Sequence, residues 1–257
     1  RTMPQAPPPV SRTASVAEVR ESFRIRIVTP MFGGGVHPGN PDPVSTVRVP
    51  SIRGHLRFWW RITRGSSITD PLELAKKEAS IWGSTKEPSK VQATVKILSN
   101  GTMEACADLI PGKSYVKFKP GYPDYALFPF QGNQKEQKPI GSGCKGAEFE
   151  LSLSFPVGLQ NEVRSALWAW CNFGGLGART RRGAGALYCK DFAPSKGSID
   201  QLAAWFHESS LSIAGLPFGE TGFERLLLLP QDQEIMRVWE NVVNLMRNFR
   251  QKEPGRN

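Results

Sequence analysis

The chain has 257 residues, 39% of them hydrophobic, which is enough for one large domain or two small ones around a real core. Thirty-three Lys and Arg against 23 Asp and Glu give a net charge of +10, a balance that favours a polyanionic partner, nucleic acid ahead of an anionic membrane surface. No run approaches the roughly 18 apolar residues of a membrane span, and Cys106, Cys144, Cys171 and Cys189 form neither a CxxC pair nor a cluster with His37, His55 or His207, so no membrane helix, zinc centre or other cofactor is expected.

Residues 1–20, with Pro7, Pro8 and Pro9 and little periodicity, read as a loose arm outside the fold. No charged leader precedes an apolar stretch there, so a cytoplasmic protein with reduced thiols is expected. "FRIRIV" (23–28) alternates Phe23, Ile25 and Ile27 with Arg24 and Arg26, the period of a half-buried strand. "TPMFGGGVHPGNPDP" (29–43) is a long irregular loop rich in Gly and Pro. Ser51 then caps a predicted helix through Thr63, and Asp70 with Pro71 opens a second that stops before Gly83.

"VQATVKIL" (91–98) and "EFELSLSF" (148–155) alternate cleanly and are predicted strands. Between them, residues 111–146 are rich in Gly, Pro and Lys, with short strand pieces at "SYVKF" and "YALFPF" and a mobile-looking "QGNQKEQKPIGSG". A helix over 161–173, the glycine-rich segment 174–186 and a short strand from Leu187 complete the order β-α-β-β-α-β. That order predicts an α+β, ferredoxin-like domain over residues 21–192, a four-stranded antiparallel sheet with helices on one face. Residues 193–257 form a helical C-terminal part, with a short helix near 199–207 and a longer one over 232–249. The longer helix carries an apolar stripe of Ile235, Val238, Trp239, Val242, Leu245, Met246 and Phe249, expected to pack on the domain or on a neighbouring subunit.

Two segments carry chemistry. In "SIRGHLRFWWRITR" (51–64), Arg53, Arg57, Arg61 and Arg64 fall within one sector of about 80°, with Ile52, Leu56 and Trp59 opposite and Trp60 at the edge. No acid occurs in the segment, which favours a phosphate-facing stripe with Trp60 placed to stack on a base; the competing reading is a solvated face whose arginines pair with carboxylates elsewhere. In "FGGLGARTRRGAGAL" (173–187), Gly175, Gly177 and Gly183 bring backbone close to a phosphate chain while Arg179, Arg181 and Arg182 add charge. GxxxxGK[ST] and GxGxxG are absent, and Ala184, Ala186 and Cys189 stand where the stacking aromatics of an RNP1 motif would be.

"TPMFGGG" (29–35), "RVPSIRGHLRFWWR" (48–61), "EASIWGS" (78–84) and "GLGARTRRGAG" (175–185) together resemble the RAMP superfamily of CRISPR effector proteins, and within it the first Cmr subunit of type III-B complexes. The resemblance implies a glycine-rich loop between the second helix and fourth strand of a ferredoxin-like domain. It further implies a non-catalytic subunit that binds single-stranded RNA, guide near its 3′ end and target, among other Cmr subunits. Members generally carry a second ferredoxin-like domain, for which residues 193–257 are too few. Other relatives are metal-independent endoribonucleases using His as general acid or base, for which His37 and His55 are the candidates. Others cleave target with metal through a loop aspartate, for which Asp42 and Asp124 are the candidates, though no second acid accompanies either.

Overall fold

The computed structural model describes residues 17–36, 39–113, 115–133, 136–195, 198–214 and 234–251. Its main sheet joins β1 (Glu18–Ile27), β2 (Gln92–Ser99), β7 (Glu148–Pro156) and β8 (Leu187–Cys189) in the order β2-β7-β1-β8, every neighbouring pair antiparallel. Period-two alternation decides its faces: Phe23, Ile25 and Ile27 of β1 and Phe149, Leu151, Leu153 and Phe155 of β7 are buried, while Arg20, Arg24 and Arg26 remain exposed. Over the apolar face lie α1 (Val49–Ile62) and α4 (Gln160–Phe173), in contact with each other. Leu167, Trp168 and Trp170 of α4 join Ile52, Leu56 and Trp60 of α1 in this core, each side chain worth about 1.5–3 kcal/mol of burial.

α1 begins three residues earlier than its sequence suggests. Arg48, not Ser51, holds the cap position, because Pro50 fits a first helical turn, where its missing N–H is no loss. α2 (Pro71–Trp82) follows as expected, with the Asp70 carboxylate accepting from the Leu72 amide at 3.1 Å and Gly83 at the end. β1 likewise starts at Glu18, inside the stretch expected to be a loose arm.

The insertion between β2 and β7 folds into its own small layers. β3 (Thr102–Ala105) pairs with β6 (Ser142–Lys145), and β4 (Ala107–Leu109) with β5 (Val116–Phe118). "SYVKF" thus contains a strand, but "YALFPF" does not: it forms α3 (Asp124–Leu127) and a 3-10 turn over Phe128–Phe130. Pro129 has no N–H to give a ladder, and the Asp124 carboxylate ties down the Tyr125 amide at 2.6 Å. Within "QGNQKEQKPIGSG", Asn133 and Lys138 exchange two backbone hydrogen bonds of 2.8 Å.

α5 (Ile199–Ser209) opens on a Ser198–Gln201 capping box and sets Trp205 and Phe206 against the main core. α6 (Ile235–Gln251) packs elsewhere, in a second core with Phe32, Cys106, Tyr122, Leu127 and Ala184. The buried face is not the expected stripe: Met236, Trp239 and Val243 are buried, so of the stripe only Trp239 is fully covered, Val238 and Met246 are half-buried, and Ile235, Val242, Leu245 and Phe249 stay exposed. Its start expected at Asp232 lies outside the described residues. No helix among the described residues is long and apolar enough to cross a membrane.

Candidate nucleic-acid interface

At about 100° per residue α1 has room for three sectors. Ile52, Leu56, Trp60 and Thr63 form the first and are buried. This corrects the expected place of Trp60, which is 1% exposed and donates its indole N–H to Glu162 of α4 at 2.6 Å. The core sector is centred one position away from the one drawn through Trp59, so the two indoles exchange roles: Trp60 is core and Trp59 the half-buried edge. Trp60 has no face to offer a base in the folded protein.

The second sector holds the four arginines, and each has a protein partner. Arg53 donates to the Trp82 carbonyl at the end of α2 (3.0 Å), and Arg64 to the Ser165 hydroxyl (3.1 Å). Arg57 and Arg61 converge on Glu78 of α2, Arg61 reaching both carboxylate oxygens at 2.7 Å. Burial pushes the Glu78 carboxyl up, but the hydrogen bonds and charges of Arg61 and Arg57 outweigh it and hold it below its ordinary value. The stripe therefore braces α2 against α1. Arg57 and Arg61 still leave 38% and 39% of their side chains exposed.

The third sector, Ser51, Gly54, His55, Phe58 and Trp59, was not recognised in the sequence. It forms one wall of a groove of about 580 Å³ whose other wall is Phe173, Gly174, Gly175, Thr180 and Arg181. Phe58 is 38% exposed and meets Trp59 at a right angle, with ring centres 5.2 Å apart. His55 lies nearly parallel to Trp170 at 6.1 Å, and burial lowers its pKa, favouring the neutral imidazole. Thr180 and Arg181 also line an adjoining cavity of about 730 Å³ with Arg179, Arg182, Met246 and Arg250. The groove and the cavity share Thr180 and Arg181 and form a trough of two compartments, one aromatic and one basic.

The loop's glycines serve the protein itself more than a phosphate. A Cβ on Gly177, at φ +84°, would come within 2.4 Å of the Phe32 carbonyl. The amides of Leu176, Ala178, Arg182, Gly183 and Gly185 all donate to backbone carbonyls, so they are not available to an anion. What remains for an anion is side-chain charge. Arg181 is exposed. Arg179, in the left-handed region at φ 63°, donates to the Ala126 carbonyl at 2.9 Å and lies over Phe128 at 5.2 Å. Arg182 contacts the Met246 sulfur and lies over Tyr125 at 5.6 Å.

Among the described residues the catalytic candidates do not assemble. His37 lies outside the described residues. Asp42 accepts the Val44 and Ser45 amides, bonds that hold its carboxyl below the usual range, and Asp124 pairs with Arg247 at 3.1 Å. No group of three or more His, Cys, Asp or Glu able to hold a metal occurs among the described residues, and all four cysteines are buried and free. Phe58, Trp59, Gly54 and Arg250 were missed; the 51, 54, 55, 58, 59 spacing was the signal for the first three, while Arg250 enters only through the packing of α6.

The profile of the RAMP superfamily matches residues 24–188. The CRISPR system Cmr subunit Cmr1-2 of Pyrococcus furiosus is 28% identical over 177 residues, spanning 64% of this chain and 92% of that protein. Cmr1-1 of the same organism is 31% identical over 144 residues, 55% of this chain and 40% of that protein. The fold is like that of the apo crystal structure of Pyrococcus furiosus Cmr1, with a TM-score of 0.57 and 22% identity over 93% of this chain and 77% of that one.

Proposed function

The chain belongs to the RAMP superfamily, and from that membership we propose that it is a non-catalytic, RNA-binding subunit of a type III-B CRISPR (Cmr) effector complex, holding guide RNA near its 3′ end and engaging target RNA beside other Cmr subunits in the cytoplasm. In this reading the sheet β2-β7-β1-β8 with α1 and α4 is a ferredoxin-like domain over 21–192, and 174–186 is its glycine-rich loop. Arg181 takes phosphate at the seam of the trough, flanked by Arg179 and Arg182, and the half-exposed Arg57 and Arg61 extend the positive surface beside Arg53 and Arg64. Gly175, Gly177 and Gly183 fix the loop's path instead of contacting RNA themselves.

One observation carries this. Two segments more than a hundred residues apart in sequence wall one groove that shares Thr180 and Arg181 with a basic cavity, and the two compartments match the two demands of a single strand, π surfaces for bases and cations for phosphates. A salt titration tests it: the logarithm of affinity for single-stranded RNA should fall linearly with the logarithm of salt concentration, by about 0.7 per phosphate contacted. Binding indifferent to salt, or no binding, ends the proposal.

His55 in the groove wall favours a second reading, a metal-independent endoribonuclease acting on precursor guide RNA with His55 as general acid or base. Incubating the full chain with guide precursor and with target RNA, with and without Mg²⁺, separates the two. Cleavage that needs no metal and is abolished in His55→Ala would replace the binding role.

A further inference from the structure

Gly54 is the one glycine inside a described α-helix, the sixth of the 14 residues of α1. Glycine in a helix interior is less favourable than alanine by roughly 1 kcal/mol, so its presence calls for a cause. Two causes are usual, a left-handed backbone or a neighbour too close for a Cβ. The other glycines lining the groove have one: a Cβ on Gly175 would meet the Gly185 carbonyl at 2.8 Å, and one on Gly174 would meet the Trp59 indole nitrogen at 2.7 Å. Gly54 has neither, since its φ is not positive and a Cβ there would meet nothing within 4 Å. The fold leaves the space over Gly54 empty, and that space opens into the groove between Ser51, His55 and Phe58.

Resting on the RNA-binding role above, we propose that the aromatic end of the trough is a slot for one unstacked nucleobase, with that base lying over the bare backbone of Gly54. The groove has the dimensions for a heterocycle, about 580 Å³. Phe58, 38% exposed and held edgewise by Trp59, gives a base a stacking surface. Thr180 and Arg181 line both this slot and the cavity of Arg179, Arg182 and Arg250, so its occupant is one unit of an anionic chain and not an isolated apolar group. Such a contact accepts any base, because every base has a π face.

Gly54→Ala and Gly54→Leu in the full chain test the slot against two probes, a short oligouridine RNA and an abasic ribose-phosphate oligomer of the same length. Both variants should melt at or above the wild-type temperature, since each side chain has room and favours helix. Wild type should bind oligouridine more tightly than the abasic oligomer by roughly 5- to 160-fold, the range for one stacked base. Gly54→Leu should lose that difference while keeping wild-type affinity for the abasic oligomer and the same salt dependence. If Gly54→Leu binds oligouridine as wild type does, the slot is refuted, yet salt-dependent binding of both oligomers leaves the RNA-binding role standing. If wild type binds neither oligomer, both fall. Variants that melt below wild type would give Gly54 a structural cause and remove the premise.

Discussion

Arg57 and Arg61 of α1 and the arginines of the glycine-rich loop carry the same charge and meet opposite circumstances. On α1, Arg57 and Arg61 close on the buried carboxylate of Glu78, which cancels part of their charge. In the loop, Arg179 and Arg182 are held by a carbonyl, a sulfur and two aromatic rings, all neutral, and Arg181 stands exposed. Among the described residues no carboxylate pairs with any of the three. The acid missing from 51–64 arrives from the next helix. A run of like charge in sequence therefore says little about net local charge until every helix packed against it is known, whereas a loop positioned by neutral groups keeps its full potential for a polyanion.

The largest effect that would break this comparison lies at Trp60. Trp60→Ala removes a fully buried indole and strips Glu162 of its donor, so stability should fall by about 3–5 kcal/mol in a denaturant titration. A variant as stable as wild type would return Trp60 to the surface. Next come Arg57→Ala and Arg61→Ala, each expected to lower stability by about 1–2 kcal/mol, a figure reduced because both guanidinium groups are partly in water. Unchanged melting with weakened RNA binding would move these two residues to the loop's side of the comparison.

Arg181→Ala sharpens it from the other direction. Melting should stay within about 0.5 kcal/mol of wild type, while the logarithmic salt slope of single-stranded RNA binding drops by about 0.7. Normal binding with normal slope would remove Arg181 from the interface. The smallest effect is at His55. Its pKa is depressed by burial in the fold, so the unfolded chain takes up the proton first: the stability it contributes is present above the unfolded value near 6.5 and lost as pH falls through the lower folded value. Thermal melts from pH 8 to 5 should show this decline, and His55→Gln should flatten it.

Much of the fold was legible because period-two alternation in Phe23, Ile25 and Ile27, and in Phe149 through Phe155, needs no tertiary information. Asp70, Pro71 and Gly83 marked the bounds of α2 for the same reason, through local backbone chemistry. "YALFPF" misled because its aromatics suit a strand while Pro129 and the local bonds of Asp124 decide for a turn. The site was half legible. Spacing found two basic segments, but a helix wheel gives only angles, and which sector faces the core depends on where α4 lies. Arg250 could not be assigned, since α6 reaches the trough by packing on an insertion with no clear periodicity.

The indole of Trp239 donates to the Arg182 carbonyl at 2.6 Å, tying α6 to the loop from the opposite end of the chain. Any event that restrains that carbonyl also restrains the indole proton, because the coupling of two equilibria is reciprocal. A strand lying along the arginines should consequently slow exchange of this one proton with deuterated solvent. The chain thus contains a spectroscopic reporter of occupancy, readable by isotope exchange, at a residue that lines neither cavity.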